Sequence, residues 1–186
     1  MILFVIRRDN KTYFHILYYT LPQATFTTTN NLLIYLYITL KKYSMTNGLV
    51  AKIELTINTA PEKVWEALTK PEIVKEYLFG TNLVTDWTVG GPIVYKGEWE
   101  GKAYEDKGTV LEFVPNKKMV STYWSAMSGL PDEPENYSTI TTELTEVDGG
   151  TKLTLLQDNN ATEEKRDHSQ KNWTMVLEKM KEILEK

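Results

Sequence analysis

Cysteine is absent from the 186 residues, and that single absence excludes disulfides, thiolate metal sites and a cysteine nucleophile. The fold must stand on packing. Histidine is nearly as scarce, with two in the chain, His15 and His168. A metal site needs several ligands, so only hard oxygen sites are left, and no calcium-loop spacing is present. No metal and no cofactor are expected. Long apolar runs are missing too. The stretch Leu32 to Leu40 has nine residues, against the roughly 20 that a spanning helix needs, so integral membrane association is excluded. Basic charge is also short. Setting aside the five basic residues and one aspartate of residues 1 to 44 leaves 16 basic and 24 acidic residues, a net charge of −8. No basic run occurs there, and so acidic a domain repels phosphate backbones and anionic surfaces. Nucleic acid is not an expected partner.

What is present is unevenly divided. Residues 1 to 44 contain no Gly and no Trp, one acidic residue (Asp9) and six of the eleven Tyr. The opening MILFVIRRDNK places its apolar part before Arg7 and Arg8, the reverse of a secretory signal. The sequons at Asn136, Asn160 and Asn172 are read as chance, the third lying beside the apolar stripe of a helix. Residues 1 to 44 resemble translated AT-rich non-coding sequence, and Met45 opens a domain of ordinary composition. The expected organisation is an atypical leader, 1–44, not native or disordered, and one domain, 45–186. The alternatives for the leader are an interfacial anchor or an added strand.

The domain is organised around its C-terminal end, where a helix is expected from Ala161 to Leu184. Trp173, Val176, Leu177, Met180, Ile183 and Leu184 fall on one stripe, with Lys171, Glu178, Lys179, Lys181 and Glu185 on the other side. That stripe needs a partner surface. From Leu49 the sequence alternates, Ile53, Leu55 and Ile57 against Lys52, Glu54 and Thr56, as a half-buried strand does. Two capping boxes follow, Thr59 with Glu62 and Thr69 with Glu72, predicting two short helices separated at Pro71. Six further strands are expected, in NLVTDW, IVYKGEWE, KAYEDKGTVLEFV, KKMVSTYWSAM, STITTELTEV and TKLTLLQD. The short turns between most of them predict sequential antiparallel pairing. A twisted sheet of seven strands curls, and its concave face is where the terminal helix belongs.

These residues together resemble a known family. The set is Ala60-Pro61, Val64-Trp65, Leu68-Thr69, Pro71, Gly90-Gly91, Gly108-Thr109-Val110, Pro115, Met119-Val120, Trp124, Gly150-Thr151, Leu153, Leu155, Trp173 and Leu177. From Val50 to Leu184 the chain resembles the helix-grip fold of the START-like (SRPBCC) superfamily, also the fold of birch-pollen allergens. Within it, the resemblance is to the AHSA-like family, named after activators of a heat-shock protein's ATPase. It implies an α+β domain with a curved seven-stranded antiparallel sheet, two short helices after the first strand and a long C-terminal helix across the concave face. Relatives carry lipids or flat aromatic compounds, cyclise polyketides, sequester toxic natural products or act as co-chaperones. The eukaryotic co-chaperones carry a further N-terminal domain, where this chain has 44 residues of unusual composition. The family has no shared catalytic motif, so the chain is not expected to be an enzyme. A cytoplasmic location and a link to stress response accompany the resemblance.

Among chemical groups, His168 sits in the apolar-free stretch EEKRDHSQK and reads as solvated. The carboxylate pairs Glu98 with Glu100 and Glu105 with Asp106 are candidates for acid and base work; the first pair shares a face with Val94 and Lys96 and reads as surface. Asp132, Glu133 and Glu135 form an acidic loop, either a hairpin end or a gate at a cavity rim. The aromatic set Trp65, Trp87, Tyr95, Trp99, Tyr123, Trp124, Tyr137 and Trp173 divides between faces, since Tyr123 and Trp124 are neighbours on one strand. Met127 and Met180 are adaptable wall residues. The expected function is non-catalytic binding of a small hydrophobic, aromatic or lipid-like ligand in a cavity between sheet and helix. Its walls are Trp173, Val176 and Met180 with Tyr95, Trp99 and Tyr123. A filled core is the alternative. It goes with a co-chaperone-like interaction module that binds a chaperone partner through an exposed apolar patch. A polyketide cyclase-like enzyme is a further alternative, and needs a titratable group inside the cavity.

Overall fold

A computed structural model describes residues 4–8, 11–15 and 49–186. Of the leader it describes strands β1 (Phe4–Arg8) and β2 (Lys11–His15), paired as an antiparallel hairpin. The apolar run Leu32 to Leu40 and the expected start at Met45 lie outside the described residues.

The domain begins with β3 (Leu49–Ile57), where Ala51, Ile53 and Ile57 are buried while Lys52, Glu54 and Thr56 are exposed, as the alternation requires. Two helices follow, α1 (Pro61–Thr69) and α2 (Pro71–Tyr77). Their starts correct the expected capping boxes. The N-caps are Ala60 and Lys70, neither with a side-chain cap, and each helix has a proline at its start. The preset backbone angle of proline suits the first helical position, which moves each start one residue past its threonine. Thr69 instead closes α1, its hydroxyl donating to the Trp65 carbonyl at 2.7 Å. Lys70, extended because proline follows, ends one helix and caps the next.

The remaining strands are β4 (Asn82–Val84), β5 (Pro92–Trp99), β6 (Lys102–Val114), β7 (Lys118–Tyr123), β8 (Ser138–Val147) and β9 (Gly150–Asn160). They form one seven-stranded sheet in the order β3-β9-β8-β7-β6-β5-β4, antiparallel throughout. Two strands are shorter than their apolar stretches suggested. The first ends at Val84, and β7 gives way after Tyr123 to an isolated bridge at Trp124 and a 3-10 turn, Ala126–Ser128. Gly108 marks a close approach of β6 to β7: a Cβ there would stand 1.8 Å from the Thr122 carbonyl oxygen. Just beyond it the β6–β7 register shifts, between Val110 and Glu112.

The chain ends in α3 (Glu163–Leu184), whose first turn is capped by the Thr162 side chain accepting from the Lys165 amide at 3.2 Å. The helix packs chiefly on β3, with lesser contacts to β9, α1 and α2. Val176, Leu177 and Met180 are its buried residues, and they share a core with Ile53, Ile57, Leu153 and Leu155. At its far end the Glu185 carboxylate accepts from the Asn58 amide at 2.7 Å, holding the helix to the end of β3. The architecture is the α+β helix-grip arrangement, with the long helix on the concave side.

Candidate functional site

The register of β5 on β6 decides what faces the helix. Tyr95 lies opposite Asp106, Gly97 opposite Tyr104 and Ile93 opposite Gly108, so these side chains share a face. Tyr123 of β7 joins them, its ring edge-on to Tyr95 with centroids 6.4 Å apart. The Tyr123 hydroxyl donates to Asp106 at 2.7 Å, and the other Asp106 oxygen accepts from the Ala126 amide at 3.0 Å. Asp106 is 8% exposed. Burial raises the Tyr95 phenol well above the usual tyrosine range, and the Asp106 charge adds to the shift. Burial acts likewise on Tyr123, reinforced by the charge of Asp106 and the hydrogen bond to it. On α2 the Tyr77 phenol is also pushed up by burial, and its hydroxyl donates to the Ala67 carbonyl at 3.2 Å. Tyr104 lies over Gly97, whose added Cβ would come within 2.5 Å of its hydroxyl, and that hydroxyl pairs with Thr81 at 2.6 Å.

The helix side is anchored by Trp173. Its indole N–H donates to the Gln157 side chain at 2.6 Å, and the Ser169 hydroxyl donates to Asn160 at 2.9 Å nearby. The six expected wall residues are therefore not equivalent. Val176 and Met180 are buried in the core between α3 and the sheet. Tyr95, Tyr123 and Trp173 are half-buried against that core. Trp99 is 46% exposed at the end of β5, edge-on to Phe79 at 5.9 Å, with the Lys179 ammonium 4.4 Å from the Phe79 ring centroid. Phe79 is held there by a left-handed backbone, φ 50°.

Asp106 is the site residue that the sequence reading did not separate from its neighbour. Glu105 points the other way and pairs with Lys96 at 3.1 Å, both about half exposed. The usable signal was alternation: Asp106 shares its strand face with Tyr104 and Gly108, the residues across from Gly97 and Ile93. Glu98 and Glu100 are exposed, as is His168, whose imidazole bonds to Asn172 at 3.0 Å. The acidic loop is pinned. Asp132 pairs with Lys107 and accepts from the Tyr137 hydroxyl at 2.6 Å, while Trp124 stacks on Tyr137 and bonds the Pro131 carbonyl at 3.0 Å. Met127 is exposed in the 3-10 turn. Among the described residues no cluster of three His, Cys, Asp or Glu is placed to hold a metal, and no helix is long and apolar enough to cross a membrane.

Two surface cavities lie elsewhere. One of about 620 Å³ is lined by Thr59, Ala60, Pro61 and residues 146–150. Another, of about 160 Å³, lies between Lys52–Leu55 and Gln170, Thr174, Leu177 and Glu178. Neither is lined by the six expected wall residues.

The family described as activator of Hsp90 ATPase homolog 1-like protein matches residues 58–185. A protein from Cytophaga hutchinsonii, known from its solution structure, is 50% identical, with a TM-score of 0.66 over 74% of this chain and 94% of that one. The Aha1 dimer from Colwellia psychrerythraea is similar in fold, at 21% identity and a TM-score of 0.57, covering 73% of this chain and 96% of its own. DynU16, a protein of the dynemicin biosynthetic locus, shares the fold at 16% identity and a TM-score of 0.62, over 74% of this chain and 47% of that one. No curated protein matches the chain.

Proposed function

This chain belongs to the activator of Hsp90 ATPase homolog 1-like family, and from that membership we propose that it binds a small hydrophobic molecule without transforming it. The ligand lies in the groove between α3 and the concave face of β5 to β7, in a protein of the cytoplasm, where a chain without cysteine gives up nothing to a reducing setting. One observation carries the reading. Tyr95, Tyr123 and Trp173 face the interior yet remain half-buried, while Ile93 and Leu153 on the same face are at most 1% exposed. The concave face thus carries fully buried aliphatic side chains beside half-buried aromatic ones, with the buried Asp106 carboxylate bonded to Tyr123. Such a lining suits an apolar ligand oriented by a few polar groups. The chemistry fits holding more than turnover. Both Asp106 oxygens already accept hydrogen bonds, and the Tyr95 and Tyr123 phenols are held protonated at neutral pH.

The test is thermal unfolding of the full chain with a panel of flat aromatics, sterols and fatty acids. A ligand at 100 times its dissociation constant stabilises the native state by about 2.7 kcal/mol. A raised midpoint confined to one chemical class is the expected result, and a midpoint unmoved by every compound overturns the reading. A second reading is favoured by a specific feature, the adjoining Phe79 and Trp99 rings, both close to half exposed. They suit contact with a chaperone in the manner the family's name suggests, with a role in stress response. Stimulation of a purified chaperone ATPase by the full chain, lost in Trp99→Ala, is its measurement.

A further inference from the structure

We propose that β3 is the surface through which two copies of this chain associate, edge to edge, so that their two seven-stranded sheets run on as one. β3 stands at one end of the sheet order and β4 at the other. An edge strand carries a row of backbone N–H and C=O groups without a ladder partner, and it attracts a further strand unless the edge is blunted. The two edges differ in this respect. β4 is only three residues long. β3 runs for nine, with no proline or glycine in it, and its one register irregularity against β9 lies at its start, between Leu49 and Ala51. Among the described residues no strand pairs with its outer edge. A cavity of about 160 Å³ lies between residues 52–55 and Gln170, Thr174, Leu177 and Glu178 of the helix, so α3 leaves a gap beside the middle of the strand.

The residues of β3 identify a second copy as the partner. In an antiparallel pair of identical strands centred on Ile53, each position meets the one equally far beyond Ile53 in the other copy. Lys52 then stands opposite Glu54 of the second copy, and Glu54 opposite its Lys52, so the two-fold axis makes two opposite-charge pairs. Both side chains are exposed, and within one chain they already lie 3.3 Å apart. In the pair the four charges alternate in sign around a square. A lone lysine on an edge repels a second strand, but here each lysine meets a carboxylate. On the inner face the half-buried Leu55 lies opposite Ala51, a large side chain against a small one. Centring the pair one residue away, on Lys52 or Glu54, would set like charges face to face, so charge also fixes the register.

The experiment is analytical ultracentrifugation of the purified full chain from low to high micromolar concentration, with Lys52→Glu and Glu54→Lys each made alone and then mixed. The expected result for the wild type is a reversible dimer. Either variant alone sets like charges opposite each other twice, and its dissociation constant should rise about tenfold or more. Mixed in equal amounts, the two variants meet with opposite charges in both pairs, and dimerisation should recover. Melting of each variant alone should stay close to wild type, because exposed ion pairs add little to the fold. Recovery on mixing also separates a lost interface from a lost fold. A wild type that stays monomeric throughout overturns the proposal and leaves the edge to a strand of some other protein. A dimer indifferent to both reversals, or two variants that fail to recover each other, overturns pairing through β3.

Discussion

On the half of the concave face formed by β3 and β9, Ile57 and Leu153 meet Leu177 and Met180 of the helix, all four at most 2% exposed. On the half formed by β5 to β7, Tyr95 and Tyr123 are half-buried, and Tyr123 bonds a buried carboxylate. One surface of one sheet thus carries two chemistries. Aliphatic side chains have no polar atoms to satisfy and can be packed to full density. Tyrosine brings a hydroxyl that needs a partner wherever it is put. The helix α3 packs chiefly on β3, although Ile93 of β5 and Val110 of β6 are buried as well, each 1% exposed. The half under α3 is sealed, and the half that carries the tyrosines is the more open of the two.

The largest expected effect tests the sealed half. Leu177→Ala removes a core side chain that is 2% exposed, and should lower unfolding free energy by about 2 to 5 kcal/mol in urea denaturation of the full chain. A loss under about 1 kcal/mol would mean that the helix is not the lock on this half, and the comparison would break. The next effect tests whether the open half has a structural joint of its own. Asp106→Ala strands the Tyr123 hydroxyl and the Ala126 amide, each of which loses its acceptor. The expected cost is about 1 to 3 kcal/mol, with faster hydrogen exchange at the Ala126 amide as the local sign. Unchanged exchange there would show that Asp106 is not what ties the 3-10 turn to the sheet.

These two halves were not equally legible in the sequence. The alternation of Ile53, Leu55 and Ile57 and the stripe of Val176, Leu177 and Met180 are periodic signals, so the packing of the terminal helix on a sheet followed from them, and the helix-grip fold from the resemblance. The helix starts were misjudged by one residue because proline sets the first helical position regardless of the threonine before it. Alternation put Tyr95 on one face with Ile93 and Trp99, and told Tyr123 from Trp124 only as pointing to opposite faces. What alternation could not supply was distance along the groove. Trp99 shares its face with Tyr95 but lies beyond the helix-covered region, against Phe79, whose left-handed backbone no pattern announces. Asp106 was hidden for a different reason. Next to Glu105 it read as half of a surface pair, and only the pairing of β6 with β5 puts one carboxylate outside and the other inside.

A smaller effect tests whether Tyr95 has a structural role of its own. Tyr95→Phe should leave the unfolding free energy within about 0.5 kcal/mol of wild type, because its hydroxyl holds nothing in the fold. A stability loss above about 1 kcal/mol would assign the hydroxyl a structural partner.

The smallest effect contrasts the groove tyrosines with one outside it. Tyr137, stacked on Trp124 at the acidic loop, is pushed up to about 12, first by burial, then by its hydrogen bond to Asp132 and that residue's charge. An unfolded tyrosine titrates near 10. The folded state therefore holds this proton more tightly. The linked stabilisation is fully present below about pH 10 and is lost as pH rises through about 12. It is modest, because the side chain is partly exposed and its Asp132 partner is well solvated. Tyr137→Phe should flatten that part of the stability profile and delete one reversible step from an alkaline absorbance titration. Tyr95 and Tyr123 lie deeper and are raised further by burial and Asp106. They should ionise only as the fold opens, in one cooperative step with unfolding. If they instead titrate near pH 10 while the chain is still folded, water already fills the groove up to Asp106. The open half would then be ordinary wet surface, with no apolar pocket for a ligand to enter.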